Sequence, residues 1–439
     1  MESVVATLGV LVLLAGLGLA YLEARRSGRL SLLCWTLLGV GGVYGACWAI
    51  VAIATVNGLN PTWAAYLLPY ESVWPLHTAA TALLVAGLEA GWFTAGAIPW
   101  TRRTAPIAID ARRLVIALWL LLVIAIGAQL LFSMAYGGLL GAYRAGGAIR
   151  AGVSKVPNAW LFLHPFGGFA IPAAVGFFGL ILSRARHWAV VIGFIVALLF
   201  ALYILVTWMG RIDFVIFILA FPLAFFLSRR WSATRLLLVA LVAGVAIVVG
   251  AFAVSQIFHL KPASNLFTYV GRELSFPFVA FFAWSQTPGT GFRWFSDYLE
   301  MPIYYLPQSI WSHFHQATET INTTLILGTP KGSGGNTSSM PVDLLSAGYI
   351  ELGFAGVPIL GVFFGFLLRL LDAFVARIAP AGLAAALSAL FALEVAVHAV
   401  LYGDADHLSN FGLVAPAILV AVVLKWPPLT APSPRSASG

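Results

Sequence analysis

Trp188–Trp208 reads WAVVIGFIVALLFALYILVTW, twenty-one residues without one charged side chain. A helix of about 20 such residues crosses the roughly 30 Å hydrocarbon core of a bilayer. Ten further stretches approach the same length and character: Ser3–Tyr21, Ser31–Val56, His77–Trp100, Leu114–Met134, Leu161–Ser183, Phe214–Ser228, Leu236–Ile257, Gly353–Asp372, Gly382–Leu401 and Phe411–Lys425. Hydrophobic residues make up 61% of the 439-residue chain and charged residues 9%, with a mean hydropathy of +0.95. A chain of this make-up can bury its apolar surface only in lipid or against other apolar helices, which excludes an ordinary soluble protein. The expected fold is all-α: a polytopic transmembrane helical bundle of about 11 spans. Gly and Pro recur inside the spans, so neighbouring helices must satisfy the backbone groups they free.

The charges set a topology. With the N-terminus outside, the loops assigned to the inside hold Arg25, Arg26, Arg29, Arg102, Arg103, Arg112, Arg113, Arg184, Arg186, Arg229, Arg230, Arg235, Arg369 and Arg377, and the tail adds Lys425 and Arg435. Eight cations remain outside, an asymmetry that agrees with the positive-inside rule. The net charge of +8 is thus spread as short loop runs and implies no nucleic-acid partner. Cys34 and Cys47 share one apolar span and read as packed thiols. Ser3–Tyr21 reads as a first span instead of a cleavable signal, since its basic cluster follows the apolar run. Residues 1–257 then form eight spans with short loops, and residues 258–343 a large extracytoplasmic loop containing short helices. Residues 344–425 form three more spans, and residues 426–439 a disordered cytoplasmic tail.

The long loop carries the polar chemistry. Its aromatic density (Trp294, Phe295, Tyr298, Tyr304, Tyr305, Trp311) fits an interfacial belt, a sugar-stacking surface or a lipid-facing groove equally. His313 and His315 are spaced i, i+2 and Glu319 follows; no third metal-ligand cluster stands near them, so general acid–base work is the better expectation than zinc. Phe276–Trp284 is apolar but too short to span, and reads as re-entrant or interfacial. Outside this loop, Arg144, Arg150 and Lys155 lie in YGGLLGAYRAGGAIRAGVSKVPNAW (Tyr136–Trp160), where the glycines favour an irregular loop over a helix. Arg211 occupies a turn beside Asp213, either as a helix-anchoring ion pair or as a functional membrane-edge charge. Arginine forks match phosphate oxygens bidentately, so these cations can converge on a phosphate. Glu394 and His398 are spaced i, i+4 within a span, a pairing that suits a proton-coupled transporter or a packed structural pair. The turn Tyr402–His407 brings Asp404, Asp406 and His407 toward the same outer cleft.

Three segments carry a resemblance. They are GGLLGAYRAGGAIRAG (Gly137–Gly152), MGRIDFVIFILAF (Met209–Phe221), and YLPQSIWSHFHQ (Tyr305–Gln316), the last followed by the Gly/Ser run Gly332–Ser339 and LLSAGYIELGFAGVPILGVFFGFLL. In this order they resemble the Wzy-type oligosaccharide repeat-unit polymerases that build O-antigen and exopolysaccharide. In three places the chain departs from the family pattern: glycine and arginine are adjacent in the Arg211 turn, Gln308 stands where an arginine is common, and SHFHQ (Ser312–Gln316) stands where a lysine-proline commonly follows the tryptophan. The resemblance implies a glycosyltransferase of the GT-C type in a bacterial inner membrane, with its active site facing the periplasm. It would join repeat units carried on undecaprenyl diphosphate, without metal or cofactor, and a chain-length regulator is an implied partner. It implies Arg150, Arg211, Arg272 and Arg144 as diphosphate contacts and His313 or His315 as base. Tyr304, Trp311, Asn336 and Glu351 would serve the glycan or the lid that covers it, with short helices expected within Ser296–His315 and a hinge at Gly332–Ser339. An O-antigen ligase shares this architecture and donor. A transporter should show inverted repeats, and no internal repeat is visible in the sequence.

Overall fold

The computed structural model describes residues 2–56, 70–102, 105–185, 187–208, 211–229, 233–257, 269, 275–287, 291–306, 310, 315–409 and 411–425. Among them, nine helices are long and apolar enough to cross a membrane, so the protein is an all-α polytopic bundle. These nine match nine of the eleven expected spans. The other two, Phe214–Ser228 and Leu236–Ile257, correspond to helices Arg211–Leu227 and Ala233–Ile257, whose described apolar stretches, Ile212–Leu227 and Leu241–Gly250, are shorter. The one pairing of strands among the described residues is short and parallel, Ile107–Ala108 against Ile378–Ala379.

Helix Tyr70–Gly96 packs along helix Leu344–Ala376, and the residues at their contact explain why. Gly87 and Gly91 are four apart, as are Gly361 and Gly365, and the two pairs face each other. A Cβ built on Gly91 would sit 2.0 Å from the Val362 carbonyl oxygen, and one on Gly365 would sit 2.1 Å from that of Leu88. Two backbones this close leave no room for a side chain. In lipid, helices gain nothing by burying apolar surface against one another, and close van der Waals approach takes over.

Several helix starts follow from their capping residues. Asp110 accepts from Arg112 N and Arg113 N, Ser31 from Cys34 N, and Asp343 from Leu345 N and Ser346 N; each satisfies N–H groups that a first turn leaves open. Cys34 and Cys47 are buried free thiols. Two segments relax into π-helix, Gly41–Cys47 and Phe391–Val397. They lie near each other: from the first, the Tyr44 hydroxyl donates to Val400 O at 3.0 Å and to Asp343 Oδ1 at 2.6 Å.

One expectation needs correction, and three others gain detail. The Gly-rich stretch after Tyr136 is not irregular: Leu139–Arg150 is an α-helix that follows Gly138 at φ 97°. The span expected at Gly353–Asp372 does start at a break: Leu352 and Gly353 leave the helical region, and the helical turns Leu344–Glu351 before them fold back so that Gly348 meets Gly356 and Val357. The span expected at Leu161 opens with a 3-10 segment, Leu161–Phe169, before helix Ala170–Leu182. Phe276–Gln286 is a helix whose residues 276–284 are all buried. At about 16 Å it is too short to cross a bilayer. It lies inside the protein, with Phe282 5.1 Å from Trp74 and Phe281 4.9 Å from Tyr349, where partial crossings are tolerated.

Gly91→Val and Gly365→Val should each destabilise the detergent-solubilised protein by about 2 kcal/mol or more, because the added carbons meet backbone. Gly127→Ala, where a Cβ meets nothing within 4 Å, is the control. Equal thermal midpoints for the three variants would remove the close contact as the organising interaction.

Candidate functional site

The break in helix Leu344–Ala376 is where the loop attaches. Ile350 O accepts from Arg293 N at 3.4 Å and Glu351 O from Trp294 N at 3.0 Å, while the Glu351 carboxylate accepts from Phe295 N. Trp294 and Phe295 are both left-handed, with φ of 57° and 60°, a conformation costing about 1–2 kcal/mol for each non-glycine residue. Three hydrogen bonds to consecutive groups of the helix offset that cost. Gly353, at φ 60°, lets the Phe292 ring approach within 3.2 Å of its would-be Cβ. Glu351 is 1% exposed and anchors the loop.

Past this anchor, Ser296–Leu299 is a turn of α-helix and Met301–Tyr305 a turn of 3-10 helix, the described part of the helical lid expected up to His315. Buried Asp297 organises what surrounds it. It pairs with Arg293 and accepts from both the backbone and the hydroxyl of Thr318, the first residue of helix Thr318–Leu327. His315 Nε2 lies 3.5 Å from Asp297 Oδ1 and 2.9 Å from the Tyr304 hydroxyl, and His315 Nδ1 lies 2.6 Å from Glu300 Oε2. An imidazole held between a carboxylate and a phenol has a fixed orientation and can carry a proton. Burial first, and then Asp297, Asp406 and Asp404, push the Tyr304 hydroxyl above the ordinary tyrosine range, so it stays neutral.

The turn after helix His398–Leu401 closes the other side, as its sequence suggested. Tyr298 OH donates to Gly403 O and Tyr305 OH to Ser409 O, both at 2.7 Å, and Gly403 N donates to Val342 O at 2.8 Å. Asp404 Oδ1 lies 2.6 Å from His407 Nδ1. Its second oxygen, Oδ2, is buried without a hydrogen-bond partner among the described residues. Ligand atoms of Glu319, Asp404 and His407 come within 4.8 Å of one another, so these three, far apart in sequence, could hold a divalent cation or share a proton. The sequence expectation of no metal rested on neighbours along the chain and did not see this grouping.

The cations arrive from other segments. Arg150, the last residue of its helix, donates to Trp208 O at 3.2 Å. Beyond it, Gly152 approaches Gly332, a Cβ on the former lying 3.4 Å from the latter's Cα. Neighbouring Lys331 is within electrostatic reach of both Arg150 and Glu319. Burial pulls the Lys331 ammonium below the ordinary lysine value; Glu319 opposes this and Arg150 adds to it. Arg144, six residues before Arg150, is exposed on a different helix face. Asn336 fastens the Gly/Ser run into a closed turn, accepting from Gly332 N through its carbonyl at 2.8 Å and donating to Thr329 O at 3.0 Å. Arg211 begins its helix at this end, but its side chain, like His313, Arg272 and Trp311, lies outside the described residues. Comparison with known families, curated proteins and solved structures finds no match to the chain.

Asp297→Ala should cost about 3 kcal/mol, because it strands a largely buried guanidinium. Limited proteolysis of residues 291–318 would report it, with half-exposed Glu300→Gln as the near-neutral control; equal cleavage of the two would refute the role. Burial also raises the Asp343 carboxyl to about 6, against hydrogen bonds from Ser346 and Tyr44 that lower it. A raised folded value means the contribution is full below about pH 4 and is lost as pH rises through 6, up to about 3 kcal/mol. The wild type should therefore lose more thermal stability between pH 4 and 7 than Asp343→Asn, and parallel profiles would remove the assignment.

Proposed function

We propose that the chain is a membrane glycosyltransferase of the Wzy type, a polymerase joining undecaprenyl-diphosphate-linked oligosaccharide repeat units at the outer face of a bacterial inner membrane. One observation carries this reading. Carboxylate–histidine pairs (Asp297 and Glu300 with His315, Asp404 with His407) share one end of a lipid-embedded bundle with cations from separate segments, Arg150 and Lys331. Such a site has proton acceptors for a sugar hydroxyl and positive charge for a diphosphate.

The step balances without a nucleotide sugar. The acceptor hydroxyl attacks the anomeric carbon of the lipid-linked donor, a glycosidic bond forms, and the bond from that carbon to the diphosphate oxygen breaks. The hydroxyl proton passes to the Tyr304 oxygen as the Tyr304 proton moves to His315 Nε2, with Glu300 holding Nδ1. The polyprenyl diphosphate leaves with its electron pair, and Arg150, helped by Lys331, stabilises the charge. Arg144, Arg211 and Arg272 are further candidates for that contact, and a chain-length regulator is the expected partner. An O-antigen ligase would use the same donor half with a different acceptor. Transport keeps one specific support: His398 lies 3.6 Å from Asp213 and 3.8 Å from Glu394, a chain of ionisable groups along which a proton could move.

In cells whose polymerase gene is deleted, this chain should restore polymer ladders, and Arg150→Ala and His315→Ala should each reduce extension about 100-fold while lipid-linked repeat units accumulate. Full ladders from both variants would overturn the assigned roles. Proton-coupled flux without glycan extension would favour the transporter.

A further inference from the structure

The opposite end of the bundle holds a second polar site that the proposed chemistry does not use. A cavity of about 270 Å³ is lined by Arg29, Thr101, Arg102, Arg369, Asp372 and Arg377, with Ala373 and Ala376 between them. Four guanidiniums thus face one carboxylate. Asp372 is 3% exposed and already committed: it pairs with Arg29, accepts from Leu32 N at 3.2 Å, and lies 3.9 Å from Arg369 Nη1. Glu23, also within electrostatic reach of Arg369, is held beside Ser31.

Neutral groups orient most of this positive charge. Arg369 stacks 4.9 Å from the centre of the Trp92 ring and Arg377 5.4 Å from that of Trp100. Arg102 Nε donates to Gly96 O at 3.0 Å and Arg377 Nε to Ala105 O at 3.1 Å. The backbone beneath is braced where Ile107 N donates to Arg377 O, beside the short strand pair. Yet Arg369 Nε and Arg377 Nη1 are buried and have no hydrogen-bond partner among the described residues. A loop arginine that merely fixes topology has its donors in water. Buried guanidinium donors without an acceptor are costly; these two lie within the wall, and the side chains they belong to line the cavity.

We propose that this cavity binds a phosphate oxyanion, the headgroup phosphate of an anionic phospholipid or a soluble phosphate. The oxygens of one phosphate match the forked donors of Arg369 and Arg377, and its charge offsets the guanidinium excess. The site stands at the ends of the membrane-crossing helices, where a lipid headgroup arrives without leaving its leaflet. It is independent of the glycosyltransferase reading and would survive its failure.

The test is binding to the purified full-length protein in neutral detergent. Short-chain phosphatidylglycerol, phosphatidylcholine and inorganic phosphate are each titrated, with thermal shift and native mass spectrometry as readouts. Phosphatidylglycerol should bind more tightly than phosphatidylcholine, weaken with added salt, and lose about tenfold or more in affinity in Arg369→Gln or Arg377→Gln. Inorganic phosphate binding as tightly as phosphatidylglycerol, with the same loss in the variants, supports the site and assigns it to a soluble anion. Equal, salt-insensitive binding of both lipids by the wild type overturns the proposal, whether or not the variants fold. So does the absence of any binding, or undiminished affinity in well-folded variants.

Discussion

Apolar helices in lipid have no reason to prefer one another over acyl chains, so something other than hydrophobicity must choose their partners. Here the choice is made by removing side chains. Gly87 and Gly91 meet Gly361 and Gly365 so closely that backbone lies on backbone, which fixes helix Leu344–Ala376 against helix Tyr70–Gly96 in position and in rotation. The rest hangs from that placement. Asp343 caps the segment Leu344–Glu351, which folds back on the fixed helix, and receives Tyr44 from a neighbouring segment; near the far end of the fixed helix, Asp372 gathers the arginines. Between them, the break at Leu352 and Gly353 exposes the carbonyls that receive the loop.

The spans were legible because a bilayer imposes one simple length and composition, and Trp188–Trp208 or Ala111–Met134 satisfy it residue by residue. Irregularities inside the spans were less so. The break at Gly353 and the helix at Leu139–Arg150 both involve glycine, whose local signal reads as loosening whether or not neighbours restore order. The buried helix Phe276–Gln286 read as re-entrant or interfacial, because apolar character alone cannot say whether the covering surface is lipid or protein.

The candidate site was legible only in part. Sequence drew attention to His315 and to the turn holding Asp404 and His407, and the structure brings both to one end of the bundle. It could not show that Asp297 is their common neighbour, because its partners, Arg293, His315 and Thr318, look like unremarkable loop residues until the chain folds back on itself. For Glu351 it offered both a glycan role and an anchor of the closing segment. In the structure Glu351 and Asn336 each hold backbone in place.

The left-handed pair Trp294–Phe295 has a mechanical meaning. Because Arg293, Trp294 and Phe295 donate to Ile350 and Glu351 just ahead of the break, the loop and the first two turns of the helix form one stiff part, and residues 352–353 form its joint. The lower helix is clamped by its glycine contact. Across that joint the segment Leu344–Glu351 folds back on the lower helix, a Cβ on Gly356 lying 2.0 Å from Gly348 O, so it is clamped as well and holds Asp297 and the edge of the His315 pocket with it. An occupant large enough to displace the lid would be felt at Asp343 and, through Tyr44, in the neighbouring segment Gly41–Cys47.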